Sequence, residues 1–315
     1  MEETQLKRPN MVNDLTQGSI LRKLFLFALP FMAANLLNTL YTLVDLAIIG
    51  KFLGSEALSA ASNSGQITFM LYAIGIGLGG GGQILISQLT GAGKRNEYQE
   101  TIGTLVTFGI ASAFVTTFIA LVFPRPLLEL INTPPEALDQ AVEYLQACAF
   151  GFVFCVGFNT FSAILRGMGD SASALVFLIV ATILNIILDI WFVAGFQMGV
   201  AGVSLATVIA QGISAVLCFF KLMRMRDVFD LNLKQLKMCK DTALKIVKIG
   251  LPSGITQAIF SVAMLVVQSL TNSLGEMVIA ANVIIMRVDG FAMMPNMTFG
   301  QTMSVYTGQN VGAGK

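Results

Sequence analysis

QLTGAGK at residues 88–94 returns almost unchanged as QNVGAGK at residues 309–315. Six apolar runs separate the two copies, and an even number of membrane crossings returns a chain to the same side facing the same way. Two further pairs keep the register. ALP at 28–30 matches GLP at 250–252, each near the opening of an apolar run, and LGSEALSAAS at 53–62 resembles LGEMVIAAN at 274–282. A six-helix unit repeated in parallel is the pattern of a two-lobed transporter with its cavity between the lobes.

The composition agrees with a membrane location. Hydrophobic residues make up 55% of the 315 positions and charged residues 12%, and the mean hydropathy is +0.75. A helix rises about 1.5 Å per residue through a hydrocarbon core of roughly 30 Å, so an apolar run of about 20 residues can cross. Eight such runs are expected, near 24–48, 57–85, 101–123, 141–165, 171–195, 201–221, 246–271 and 278–307. The fold class is therefore an all-α polytopic membrane protein. Its expected parts are an N-terminal segment 1–20, a first lobe 21–223, a basic linker 224–242 and a partial second lobe 243–315. The second unit holds two of its six helices, so the chain reads as part of a twelve-span protein needing on the order of 130 further residues to match the first lobe.

The apolar core of a signal peptide is shorter than the first span, so the N-terminus is expected to stay. Of the 19 Lys and Arg residues, Lys51 and Arg125 fall in loops of one side, and Arg287 falls inside the eighth span. The rest gather on the other side, eight of them between Lys221 and Lys248. By the positive-inside rule both termini face the cytoplasm of a cell-membrane protein. A net charge of +1 gives no reason to expect a nucleic-acid partner. His is absent and Cys148, Cys155, Cys218 and Cys239 show no CxxC spacing, so neither a metal cluster nor a disulfide framework is expected, and the cysteines read as small hydrophobes. No nucleophile with a base appears in the spans, so the chain does not read as an enzyme.

GAGK is not a phosphate loop. Gln88 and Gln309 stand where a P-loop requires glycine, and Arg95 follows Lys94 where it requires Ser or Thr. A turn closing the second span, with glycine at positive φ, explains the phrase better. GIGLGGGG at 75–82 contains a formal GxGxxG, but no strand precedes it; close helix packing or a kink is expected instead.

Ionisable groups within a span cost roughly 2.5 to 3.5 kcal/mol each on insertion scales, so each needs a reason. Four qualify: Asp45, Asp189, Arg287 and Asp289. Asp45 lies 15 residues beyond Pro30, about 22 Å along a helix. Asp189 falls at a similar depth in a span running the same way. In FLIVATILNIILDIWFV, Asn185 and Asp189 are four apart and share a helix face. Asn159 and Thr207 are further polar groups in apolar spans. Carboxylates, amide oxygens and a hydroxyl at one depth can hold a proton or coordinate a sodium ion; interfacial placement and packing hydrogen bonds are the alternative. Tyr41, Gln257, Arg287, Asp289 and Met293 are the expected lining of a substrate cavity, the methionines of the eighth span offering a pliable surface.

DLTQGSILRKLFLFALP, NTLYTLVDLAIIGKFLG, LRGMGD, NIILD and the doubled GAGK together resemble the multidrug and toxic compound extrusion (MATE) family, in its DinF-like prokaryotic branch. The resemblance covers the chain from Asp14 onward. It implies two six-helix lobes, alternating access, and export of drugs or organic cations in exchange for H+ or Na+, with no other cofactor. It also implies a first-lobe cation site at Asp45, Asn159, Asn185, Asp189 and Thr207. The acidic residue that another branch carries in helix 7 is missing from LPSGITQAIFSVAMLVVQ, where Gln257 is the nearest polar substitute. A lipid flippase of related architecture and a non-transporting, self-associating fragment are the rival readings; membrane lipid is a further expected contact.

Overall fold

The protein is described from a computed structural model covering residues 14–225, 238–273 and 276–315. The expected N-terminal segment through residue 13 and residues 226–237 of the expected basic linker lie outside these, as do the side chains of Gln257 and Arg287.

The described chain is helical: α1 (Ile20–Phe52), α2 (Gly54–Ala92), α3 (Arg95–Val122), a short α4 (Pro124–Leu130), α5 (Pro135–Gly167), α6 (Ser171–Asp189), α7 (Gly199–Arg224), α8 (Lys240–Ser273) and α9 (Glu276–Gly312). All eight expected spans fall on long helices. Among the described residues five helices are long and apolar enough to cross a membrane, or six when the two halves of α2 count as one span. α8 and α9, at 34 and 37 residues, have the length to cross as well. α3 and α5 carry large exposed apolar groups, Phe114 and Phe150 at 71% and 70% exposure, as lipid-facing helices do.

Two features were not expected. α4 fills the connection between the third and fourth spans; proline at its first position suits a helix start, and Pro124 and Leu128 are buried. After Asp189, α6 passes into a π-helical turn, Ile190–Gly195.

Lipid gives helices little hydrophobic reason to associate, so packing relies on close approach of small residues. α5 presents Ala137, Ala141, Leu145 and Ala149 at four-residue spacing, all buried, in one cluster with Ala60 and Ile67 of α2. Ser64 Oγ donates to Ala141 O at 2.9 Å across that seam. The glycine run of α2 has both expected uses. The helix bends 43° between Gly54–Ala73 and Gly75–Ala92, and a Cβ on Gly81 would sit 2.6 Å from Ile246 O of α8.

The repeated phrase does more than turn the chain. QLTGA is still helical, and the turn is made by Gly93 at φ 67°. Lys94 N donates to Leu89 O at 3.2 Å and Gly93 N to Thr90 O at 3.3 Å, the paired bonds of a Schellman cap. The second copy repeats them, Lys315 N to Asn310 O at 2.9 Å and Gly314 N to Val311 O at 3.1 Å, with Gly314 at φ 73°. The other glycine of each copy serves contact. A Cβ on Gly91 would lie 1.8 Å from Gln309 O, and one on Gly312 would lie 1.9 Å from Gln88 O. The two copies thus cross backbone to backbone in a reciprocal arrangement, each glycine against the other copy's glutamine. The start of α8 joins the same end of the molecule, where Cys239 N donates to Thr104 Oγ1 of α3 at 3.2 Å.

Candidate cation site

At the far end of α1, α6 and α7, polar side chains meet in apolar surroundings. Asp45 (α1) is 8% exposed, and Asn185 and Asp189 (α6) are fully buried. The four-residue spacing puts the last two on one face of α6, turned toward α1. Beside them lies a buried apolar cluster that includes Ile48, Ile49, Val193, Val200 and Val203.

The Asp45 and Asp189 carboxyl groups converge on one amide, that of Asn185. Carboxyl oxygens can only accept from Asn185, so its amide nitrogen faces them, 2.7 Å from Asp45 Oδ1 and 3.2 Å from Asp189 Oδ2. Its other amide atom is then an oxygen, 3.4 Å from Thr207 Oγ1 of α7. Tyr41 OH donates to the same Thr207 hydroxyl at 3.1 Å. A chain of donors thus runs from Tyr41 through Thr207 and Asn185 to the carboxyl pair.

Charge makes this arrangement incomplete. Two carboxylates are both acceptors, and gathered around one amide they repel each other unless a proton or a cation joins them. Among the described residues no Lys or Arg pairs with either, and Asp189 Oδ1 is buried with no hydrogen-bond partner. Such an orphaned oxygen in a dry site costs about 1 to 3 kcal/mol, more when it bears charge, unless something binds it.

Four of the five residues expected at the site are therefore brought together: Asp45, Asn185, Asp189 and Thr207. Asn159 is not. It is exposed and its amide donates to Cys155 O of its own helix at 2.8 Å. Several residues of α5 approach the site, Tyr144 and Cys148 on the side of Asp45 and Cys155 on the side of Tyr41. Asn159 stands one turn beyond Cys155 on α5. Tyr41, expected at the substrate cavity, is instead buried in this chain of donors. Tyr144 was missed from the sequence, although Tyr144 and Cys148, four apart in the fourth span, are a detectable polar stripe.

Of the other cavity residues, Asp289 is exposed and Met293 is 51% exposed. Met293 and Met297, four apart, continue one exposed face of α9. A separate hollow of about 260 Å³ between α3, α5 and α7 is lined by Gly109, Phe154, Gly157, Phe161 and other apolar groups, with Thr160 its polar exception. It holds none of the expected site residues.

The MatE family model matches residues 30–191, just over half of the chain, including Asp45, Asn185 and Asp189. A Bacillus subtilis protein described as "Probable multidrug resistance protein YpnP" is 31% identical over 309 residues, covering 96% of this chain and 67% of that protein. Multidrug export protein MepA of Staphylococcus aureus is 26% identical over 269 residues, covering 84% of this chain and 59% of its own length. The structure titled "Crystal structure of MATE in the bent conformation" superposes with a TM-score of 0.88 at 24% identity over 95% of this chain and 67% of that one, a likeness of fold. Family model, relatives and fold agree over a chain about two thirds the length of YpnP: it belongs to the MATE family of membrane transporters.

Proposed function

We propose that this chain carries the ion-binding part of a cation-coupled exporter of amphipathic or cationic compounds, working by alternating access. The observation behind this reading is the buried pair Asp45 and Asp189, gathered on the Asn185 amide with no basic partner among the described residues and with Asp189 Oδ1 buried and unpartnered. The relatives named for multidrug resistance and multidrug export support the substrate class.

In this reading the basic end of the molecule faces the cytoplasm and the carboxyl pair lies toward the outer side. The first lobe is residues 21–223 and the second begins at 243. The close backbone crossing at the basic end supports an outward-open state. An ion from outside enters at Asp189 Oδ1 and joins the two carboxyls. Asn185 and Thr207 then tie α1, α6 and α7 together around the neutralised pair, which favours closure on the outer side and the return to an inward-open state. Drug leaves by the exposed face of α9 that carries Asp289 and Met293. An amide nitrogen aimed at both carboxyls suits a pair that shares a proton. For Na+ the Asn185 amide would turn its oxygen inward, since a cation takes oxygen ligands.

The test is ethidium efflux from energised membrane vesicles containing the chain, beside Asp45→Asn and Asp189→Asn, under an imposed H+ or Na+ gradient. Gradient-driven efflux lost in both variants is expected, and the gradient that drives it names the ion. Efflux indifferent to both substitutions would overturn the reading.

A further inference from the structure

Residues 14–18 precede α1 yet pack on the end of α9. Leu15 is 2% exposed, in one cluster with Phe27 of α1 and Val305 of α9. Leu15 N donates to Gln309 Oε1 at 3.1 Å, and Asn310 Nδ2 donates to Leu15 O at 3.3 Å. Lys315 Nζ donates to Thr16 O at 2.7 Å. Three residues of the second repeated phrase thus hold one turn of this segment. On its own side the segment is shaped locally: Asp14 Oδ1 accepts from Thr16 N at 2.8 Å and Thr16 Oγ1 at 2.6 Å. Lys23 of α1 bonds Asp14 O, and Gly18 at φ 94° turns the chain into the helix.

The two copies of the phrase diverge where this contact is made. Asn310 corresponds to Leu89, which cannot donate and is buried in the main core cluster. Lys315 corresponds to Lys94, which pairs with Glu97 at 2.8 Å. The segment before α8 bonds Thr104 of α3 instead. Among the described residues, an otherwise reciprocal crossing therefore has this fastening on one side only. The crossing itself is backbone against backbone at Gly91 and Gly312, with Ser87 Oγ only 1.9 Å from where a Cβ on Gly308 would stand. Such a seam closes well but has few side chains of its own to keep it closed.

We propose that residues 14–18 form a strap that fastens α9 to α1 across the glycine crossing and sets how readily the basic end opens. The strap must release before the lobes part there, so its strength biases the chain toward the outward-open state. This rests on the alternating-access reading above.

The experiment uses thiol labelling of the membrane-embedded chain with an impermeant maleimide, counted by mass spectrometry. In a background with Cys148, Cys155 and Cys239 changed to Ser, Cys218 at 0% exposure stays as the control for folding. Ser87→Cys, buried at the crossing, reads parting of the lobes, and Val305→Cys reads departure of the strap. Leu15→Asp and, from the other side, Asn310→Ala each weaken the strap without entering the membrane core. With Cys218 unlabelled, both are expected to raise the labelling rate of Ser87→Cys by about tenfold, as loss of one buried Leu contact allows. A rise at Val305→Cys alone would make the strap a passive cover, and no rise at either position would mean that it holds nothing; each overturns the proposal. Gly312→Trp, which cannot fit against Gln88 O, separates the two ideas. Labelling of Ser87→Cys under this wedge but not under strap loss would sink the strap alone, and no labelling even under the wedge would remove the opening motion and the alternating-access reading with it.

Discussion

Asn185 has one nitrogen and one oxygen to divide among Asp45, Asp189 and Thr207, and that division organises the site. Asn185→Leu keeps the volume but removes the amide that donates to both carboxyls, leaving buried acceptors short of a partner. A loss of about 2 kcal/mol or more is expected in denaturant titration of the purified chain. Ion binding is open to a test that needs no transport. If the pair binds Na+ or H+, thermal stability should rise with that ion, by about 1.4 kcal/mol at ten times the dissociation constant. Asp189→Asn should flatten the dependence, since an amide completes the hydrogen bonds without an added charge. A Tm independent of both ions in the unsubstituted chain would leave the carboxyl pair as packing alone. Asp45, Asn185, Asp189 and Thr207 were readable as candidates because a charged or amide side chain in an apolar span has few innocent explanations. Asn159 was singled out for the same reason, and its exposed amide bonds its own helix: polarity in a span marks a residue as unusual without giving its partners.

Within the helices, small residues decide what touches. Ala141 of α5 is fully buried with its carbonyl bonded to Ser64 of α2, so Ala141→Leu forces three extra carbons into a closed seam. A cost of about 1 to 3 kcal/mol is expected, against a change within about 0.5 kcal/mol for Ala111→Leu on an exposed face of α3. The helix caps make a paired prediction. Gly93→Ala and Gly314→Ala each place a Cβ in the left-handed region at the end of a Schellman motif, and each should cost about 1 kcal/mol in the same assay. Unequal costs would mean that the two caps, alike in backbone, differ in surroundings. The eight long helices were legible from apolar length alone. α4 and the π-helical turn after Asp189 were not, because seven residues are too few to show a period and a π-turn has no hydrophobic pattern of its own.

For the whole molecule, orientation is the claim most open to direct measurement. Lys94→Cys, just before α3, and Arg125→Cys, in α4 just beyond its other end, are both exposed. In a background without other reactive thiols the first should label from the cytoplasmic side and the second from outside; the reverse result would turn the mechanism upside down. The doubled phrase, read along the chain, showed a parallel repeat and a membrane fold, because helix length and repeat spacing are properties of consecutive residues. Composition likewise fixed the membrane as solvent, and isolated polar residues marked the site. The partners of those residues were decided only in three dimensions. That Gly91 meets Gln309, that Asp45 meets Asp189 across 144 positions, and that Leu15 lies against Val305 depend on how helices rotate and cross. Those angles are set by backbone approach at glycines and by burial against neighbours, contacts between residues far apart in the chain that no local pattern encodes.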